Sequence, residues 1–348
     1  MNILIRATNW VGDAILALPA LRAVRQEFQK ARISILARPY VADLYREQDV
    51  ADELIPYDLQ HGHHGWRRRK RLIEELRAKR FDTALLLQNA FEAAWIAWRA
   101  GIPKRIGYAR DARGLLLTNS VPVPKPGEIP PHEKFYYLEL LRRIGWIKSL
   151  PDEPFITLKI SSERKKNAME RLLEAGVRPT ALRIAIGAGA SYGSAKCWPP
   201  ERFAEVASRL QAQLEADVIL FGAAGEGAVA HVIAAGMKRK PVDLTGKTAI
   251  GDLPALLSHC HIFLGNDSGA MHVAAAVGLP VVAVFGPTDP NGTRPVTPCS
   301  TIVQQKVYCS PCFLRRCPTD HRCMTSVTPD MVDGAMKPWL VNLGVHPA

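Results

Sequence analysis

The chain has no run of about 20 apolar residues, the length a helix needs to cross a bilayer. Its most apolar stretch, residues 273–285, is interrupted by Gly278 and Pro280. The opening residues, Met1-Asn2-Ile3-Leu4-Ile5-Arg6, lack the charged, apolar, then small-residue order of a secretory leader and read as a first strand. The expected compartment is therefore the cytoplasm. Aromatic residues make up only 7% of the chain, and its densest basic run is not interleaved with stacking residues, which argues against nucleic acid as the partner. Neither the Walker pattern nor G-x-G-x-x-G occurs, and no D-x-D pair sits at a strand end to hold a divalent cation. No cofactor and no catalytic metal are expected on these grounds. The seven cysteines are an odd number, with Cys197 and Cys260 alone in apolar surroundings, so a disulfide framework is not expected either.

What is present is enough chain for two domains: 348 residues, 47% hydrophobic and 22% charged. The formal net charge of +12 predicts attraction to anions, whether nucleic acid, an anionic membrane face or a phosphorylated substrate. The charge is densest at Arg67, Arg68, Arg69, Lys70 and Arg71, near the start of a predicted helix. Cations there oppose the helix dipole, a mild local cost that a ligand or a solvated helix face would explain.

Strand-like and helix-like segments alternate along the chain. In the first half the predicted strands are residues 2–6, 32–37, 53–57 and 81–88, and the predicted helices are 13–28, 66–79, 91–99 and 132–144. Proline-bearing residues 121–131 form a loop, and residues 150–154 read as a linker. The pattern then restarts with a helix over 161–175, capped by Ser161 or Ser162 and stopped by Gly176. Strands at 182–187, 216–222, 242–245, 261–267 and 280–286 follow with helices between them, and a helix over 328–343 closes the chain. The expectation is an α/β protein of two domains, 1–155 and 156–348, each a mostly parallel sheet covered by helices.

In such sheets, ligands bind beyond the carboxyl ends of strands, at helix N-termini. Three loops of the second half have that grammar. One runs from Gly187 to Lys196 and carries Gly189, Ser191, Tyr192 and Gly193; the second leads from Phe221 to Glu226; the third is Gly265-Asn266-Asp267-Ser268-Gly269, followed by His272. Glycines admit close backbone approach, hydroxyls donate, and Lys196 brings a point charge. Taken one at a time, Lys196 could be a solvated loop lysine, Asp267 a helix cap, and His272 a packed core residue. In the first half, Asp13 follows Gly12 at a helix start. It is either an acid favoured by the helix dipole or a general base.

Cys309, Cys312, Cys317 and Cys323, with His321 among them, have the spacing of a structural zinc site; the alternative is a loop of reduced thiols. His61, His63 and His64 sit in a glycine-containing stretch that reads as a loop.

Four segments, residues 3–21, 187–203, 265–290 and 309–324, together resemble the bacterial ADP-heptose:lipopolysaccharide heptosyltransferases (glycosyltransferase family 9), with the type II enzymes as the nearest match. The resemblance spans nearly the whole chain, and GNDSGAMHVAAAVGLPVVAVFGPTDP is its most specific part. It implies a GT-B fold, two Rossmann-like domains facing a central cleft, with the acceptor bound by the first and the nucleotide sugar by the second. It implies inverting, metal-independent transfer of L-glycero-D-manno-heptose from ADP-heptose to heptosyl-Kdo2-lipid A, with Kdo2-lipid A as the alternative acceptor. A GT-B epimerase acting on a nucleotide sugar is a further alternative. Residue by residue, it implies Asp13 as catalytic base and Lys196 at the donor phosphates. It places Ser191, Tyr192, Glu226, Asp267, Ser268, Gly269 and His272 around the donor; Tyr192 departs from the threonine of some members. The anionic glycolipid acceptor would give Arg67, Arg68, Arg69, Lys70 and Arg71 a purpose, including peripheral docking at the cytoplasmic face of the inner membrane. The resemblance does not require a metal at the four cysteines.

Overall fold

The computed structural model describes residues 1–58, 63–152 and 156–343, without the side chains of His63 and His64. The chain divides into two compact units, Met1–Pro154 and Phe155–Ala348. The stretch predicted as a linker, 150–154, falls partly on residues outside the described ones, as do His61 and the His63 and His64 side chains.

The first unit is built on six strands: β1 (Asn2–Arg6), β2 (Arg32–Ala37), β3 (Glu53–Pro56), β4 (Thr83–Leu86), β5 (Lys104–Tyr108) and β6 (Asn119–Val121). They pair in the order β3-β2-β1-β4-β5-β6, every pair parallel. The second unit repeats the plan with β7 (Arg183–Gly187), β8 (Asp217–Leu220), β9 (Val242–Asp243), β10 (Ile262–Asn266), β11 (Val281–Phe285) and β12 (Ser300–Gln304). Their order, β12-β11-β10-β7-β8-β9, is the same when each unit's strands are counted from its own start. In both units the strand order reverses beside the first strand, between β1 and β4 and between β7 and β10. Those are the switch points where an open parallel sheet leaves a crevice at its carboxyl edge.

Parallel strands buried on both faces must be apolar throughout. Ile3, Leu4 and Ile5 of β1 and all five residues of β11, Val281–Phe285, are at most 1% exposed. Helices then cover the faces. Residues 13–28, expected as one helix, form two: Val11–Leu16 and Leu18–Glu27, with Pro19 in the first turn of the second. Proline has no N–H to donate, which makes it a helix opener. The basic helix begins earlier than predicted, at His63–Ala78, and the strand expected over 81–88 is confined to β4. Elements not expected include the helix Pro39–Tyr45, strands β5, β6 and β12, and the short helices Pro290–Thr293 and Arg322–Thr325. The two β6 and β12 strands lie at sheet edges, where one side is solvated and the apolar signal is weak. Ser161 caps the helix Ser162–Glu174, its hydroxyl accepting from the Arg164 N–H. Among the described residues, no helix is long and apolar enough to cross a membrane.

Candidate active site

In the second unit, the ends of β7 and β10 bring two of the predicted loops together. Asn266, fully buried, ties them: its Nδ2 donates to the Ala188 carbonyl at 2.6 Å, and its Oδ1 accepts from the Trp198 N–H at 3.0 Å. Lys196 ends a one-turn helix, Ser194–Lys196, and its Nζ lies 2.5 Å from Asp267 Oδ2. Both side chains are nearly buried, 11% and 5% exposed. The same carboxylate oxygen accepts from Thr288 Oγ1 at 2.7 Å. A cation and an anion removed from water in this way are held only by good mutual geometry and extra hydrogen bonds, and this pair has both.

Asp267 is therefore not the cap of the next helix. Ser268 occupies that position for the helix Gly269–Ala276, and its buried Oγ has no hydrogen-bond partner. His272 faces inward from the first turn and is buried. Ser191 is exposed in the turn between β7 and Lys196. Tyr192 packs its ring 4.7 Å from the Lys196 ammonium and donates its hydroxyl to the Phe313 carbonyl at 2.6 Å. That last bond reaches the cysteine-bearing segment. So do the Ala195 N–H, donating to Arg315 O at 3.1 Å, and the His321 ring nitrogen, 2.7 Å from Ala195 O. Gly193 is glycine for this reason: at φ +155 a Cβ would overlap the Arg315 carbonyl.

The four cysteines of that segment are all free thiols. Burial and the neighbouring Cys309, Cys312 and Cys317 push the Cys323 thiol up to about 11. Among the described residues, no group of three or more His, Cys, Asp or Glu side chains is arranged to hold a metal. The contacts of the segment brace the loop that carries Lys196.

At the far side of β7, a small pocket opens between the ends of β7 and β8. Ile186, Leu220, Val229, Ala230 and Ile233 form its apolar wall, and Glu226 and Thr245 its polar rim. Glu226 Oε2 accepts from the Ala223 N–H at 2.8 Å, and burial raises its carboxyl above the usual range. A Cβ on Gly189 would overlap the Glu226 carboxylate, so glycine is what lets the two loops approach.

In the first unit, Asp13 lies in the first turn of Val11–Leu16, at the carboxyl edge beside the switch point. A neighbour that sequence reading missed stands with it. Glu133 opens the helix Glu133–Arg143, and its carboxyl is pushed up to about 7, by burial first and then by the charge of Asp13, against a weaker pull from Arg110. Raised folded-state pKa means that folding favours the protonated form. The associated stability is full below the ordinary carboxylate range and is lost as pH climbs through about 7. Glu133→Gln should therefore gain stability over the parent at pH 8 relative to pH 5, by on the order of 1–3 kcal/mol. Thermal unfolding of both proteins at the two pH values checks this; parallel pH profiles would show that Glu133 does not titrate in this way.

The edge is held by two buried arginines that also escaped notice. Arg6 donates to Ala7 O at 2.6 Å and Asn9 Oδ1 at 2.8 Å, with Tyr57 stacked 4.8 Å away. Arg113 donates to Tyr108 O at 2.9 Å and Asn89 Oδ1 at 3.0 Å. In the basic run, half-exposed Arg69 pairs with Glu92 Oε1 at 2.9 Å, while Arg67, Arg68, Lys70 and Arg71 are exposed.

Residues 69–322 match the model of glycosyltransferase family 9 (heptosyltransferase). The chain belongs to that family. As a family 9 glycosyltransferase it is 31% identical over 305 residues to lipopolysaccharide heptosyltransferase 2 of Escherichia coli K12, covering 85% of this chain and 86% of that one. It is 30% identical over 320 residues to lipooligosaccharide heptosyltransferase 2 of Haemophilus influenzae, covering 87% and 88%. Its fold matches the solved structure of E. coli ADP-heptose lipopolysaccharide heptosyltransferase II with a TM-score of 0.85 and 26% identity, covering 99% of this chain and all of that one. The glycosyltransferase thus has the GT-B fold class, with a six-stranded parallel sheet in each unit.

Proposed function

We propose that the enzyme transfers L-glycero-D-manno-heptose from ADP-heptose to the lipopolysaccharide inner core, with heptosyl-Kdo2-lipid A as acceptor. The observation that carries this reading is the buried Lys196–Asp267 pair at the switch point of the second sheet, next to the N-terminus of Gly269–Ala276. A departing nucleoside diphosphate needs positive charge and oriented N–H groups where its charge develops. Lys196 and the amides at that helix start supply them, and the Ser268 hydroxyl has capacity left for a phosphate oxygen. The apolar pocket beside β8 suits adenine, and the Glu226 carboxylate suits a ribose hydroxyl.

The chemistry is an inverting displacement. Asp13 takes the proton of the acceptor hydroxyl, whose oxygen forms a bond to the anomeric carbon as the bond from that carbon to the diphosphate oxygen breaks. ADP leaves with the electron pair, and Lys196 stabilises it. Ser191, Tyr192, Asp267 and His272 shape the donor loop. Arg67, Arg68, Lys70 and Arg71 meet the carboxylates and phosphates of the acceptor, and the enzyme works peripherally at the cytoplasmic face of the inner membrane. The quoted relatives are both second heptosyltransferases, which supports an already heptosylated acceptor over bare Kdo2-lipid A. The donor half is tested by offering ADP-heptose and, separately, UDP-sugars in the presence of a chelator. Transfer from ADP-heptose alone is expected; transfer from a UDP-sugar alone would overturn the assignment.

A further inference from the structure

One face of the first unit carries large apolar side chains where a protein surface ordinarily has polar ones. On the helix Phe91–Arg99, the buried side is Ala93, Ala94, Ile96 and Ala97. Phe91 and Trp98, seven residues apart and so on one side of the helix, face out, while Trp95 between them is half-buried against the core. Phe91 is 48% exposed and Trp98 46%. The helix His63–Ala78 lies alongside: Arg69, midway along it, meets Glu92 at the start of Phe91–Arg99, and Arg77 near its end donates to the Arg99 carbonyl at 2.7 Å. The contact points are eight residues apart on one helix and seven on the other, so the two helices run parallel. Trp66, 66% exposed, lies one turn before Arg69 on the first of these helices. Leu115, 99% exposed, projects from a one-turn helix packed on the same element.

The same helices carry exposed cations. Arg67, Arg68, Arg71 and Arg77 are exposed on the first helix, against Glu75 and a Glu74 that sits 3.9 Å from Lys70. Arg99 lies 5.9 Å from both the Trp95 and Trp98 rings. Tryptophan and phenylalanine interleaved with arginine suit one environment above others: the boundary of an anionic bilayer, where rings enter the headgroup layer and cations meet lipid phosphates.

We infer that the exposed faces of helices His63–Ala78 and Phe91–Arg99, with Leu115, form the membrane-docking surface, and that its occupant is an anionic phospholipid bilayer. The inference rests on the reading that the acceptor is lipid-borne and adds the residues that bring the enzyme to it. Phe91 follows the carboxyl end of β4, so the surface starts at the sheet edge that holds Asp13. A glycolipid with its acyl chains in the bilayer would present its sugars at that edge.

The test uses the full chain and a Phe91→Ser/Trp98→Ser/Leu115→Ser variant, after thermal unfolding confirms that both are folded. Sedimentation is measured with vesicles of about three parts phosphatidylethanolamine to one of phosphatidylglycerol, and with phosphatidylcholine alone. The parent should sediment with the anionic vesicles, and the variant should bind them about tenfold or more weakly. Transfer to vesicle-embedded acceptor should fall with binding, while transfer to a deacylated, water-dispersed acceptor stays unchanged. Undiminished vesicle binding by the variant would overturn the inference and mark the attraction as plain polycation charge. Loss of transfer to the deacylated acceptor with vesicle binding retained would also overturn it, placing these residues in the acceptor site. If the parent transfers to neither acceptor, the functional reading fails while the vesicle result still decides this surface.

Discussion

Lys196→Ala should lower the rate of heptose transfer by about 10²–10³-fold, the usual cost of removing one charge-stabilising group from a transferase site. It should also destabilise the second unit. Asp267 is 5% exposed, and without the ammonium 2.5 Å away its carboxylate is left with the hydrogen bond from the Thr288 hydroxyl. Breaking a buried pair by deleting one member costs about 3–5 kcal/mol, because the other charge is stranded. The two effects separate in a double variant. Lys196→Met with Asp267→Asn removes both charges and should recover most of the unfolding temperature, yet transfer should stay low. Recovery of transfer together with stability would mean that Lys196 serves only to neutralise Asp267.

Asp13→Asn has the second large effect and acts on the other half of the chemistry. An amide cannot accept the acceptor's proton, so kcat should fall by about 10²–10⁴-fold. Donor affinity should not move, because the donor-binding residues proposed here all lie in the second unit while Asp13 is in the first. The readouts are steady-state kinetics and equilibrium binding of ADP. Glu133 provides an internal check: its carboxyl is raised partly by the charge of Asp13, so the substitution should bring its titration down from about 7. A variant with kcat near the parent value would remove Asp13 from the catalytic role.

The sheets were largely legible because parallel strands buried on both faces leave continuous apolar runs such as residues 281–285 and 262–264. The short edge strand β6, Asn119–Val121, left no such run, and neither did its neighbour β5, which starts with two cations. The break between residues 16 and 18 was visible in principle as Pro19, outweighed by helical spacing on either side of it. In the site, glycine-rich loops and their charged residues could be read, since chemistry and chain order coincide there. Partners distant in sequence could not. Thr288 reaches Asp267 across 21 residues, Asn89 reaches Tyr136 across 47, and nothing local in Glu133 announces Asp13. The cysteine segment was legible as a pattern and not as a role. Its function as a brace for the Lys196 loop appears only in backbone bonds such as Ala195 to Arg315.

The docking face shows the same limit from the other side. The basic run stands out in sequence, but Arg69 is diverted into an ion pair, and the exposed aromatic side chains become visible as a surface only when the two helices are seen side by side.

The most direct test of the central claim is transfer from ADP-heptose by the purified chain to two acceptors in parallel, Kdo2-lipid A and the same glycolipid already carrying its first heptose. Heptose appearing on the heptosylated acceptor alone is the predicted result. Transfer to the bare Kdo2-lipid A alone, or to neither, would contradict it.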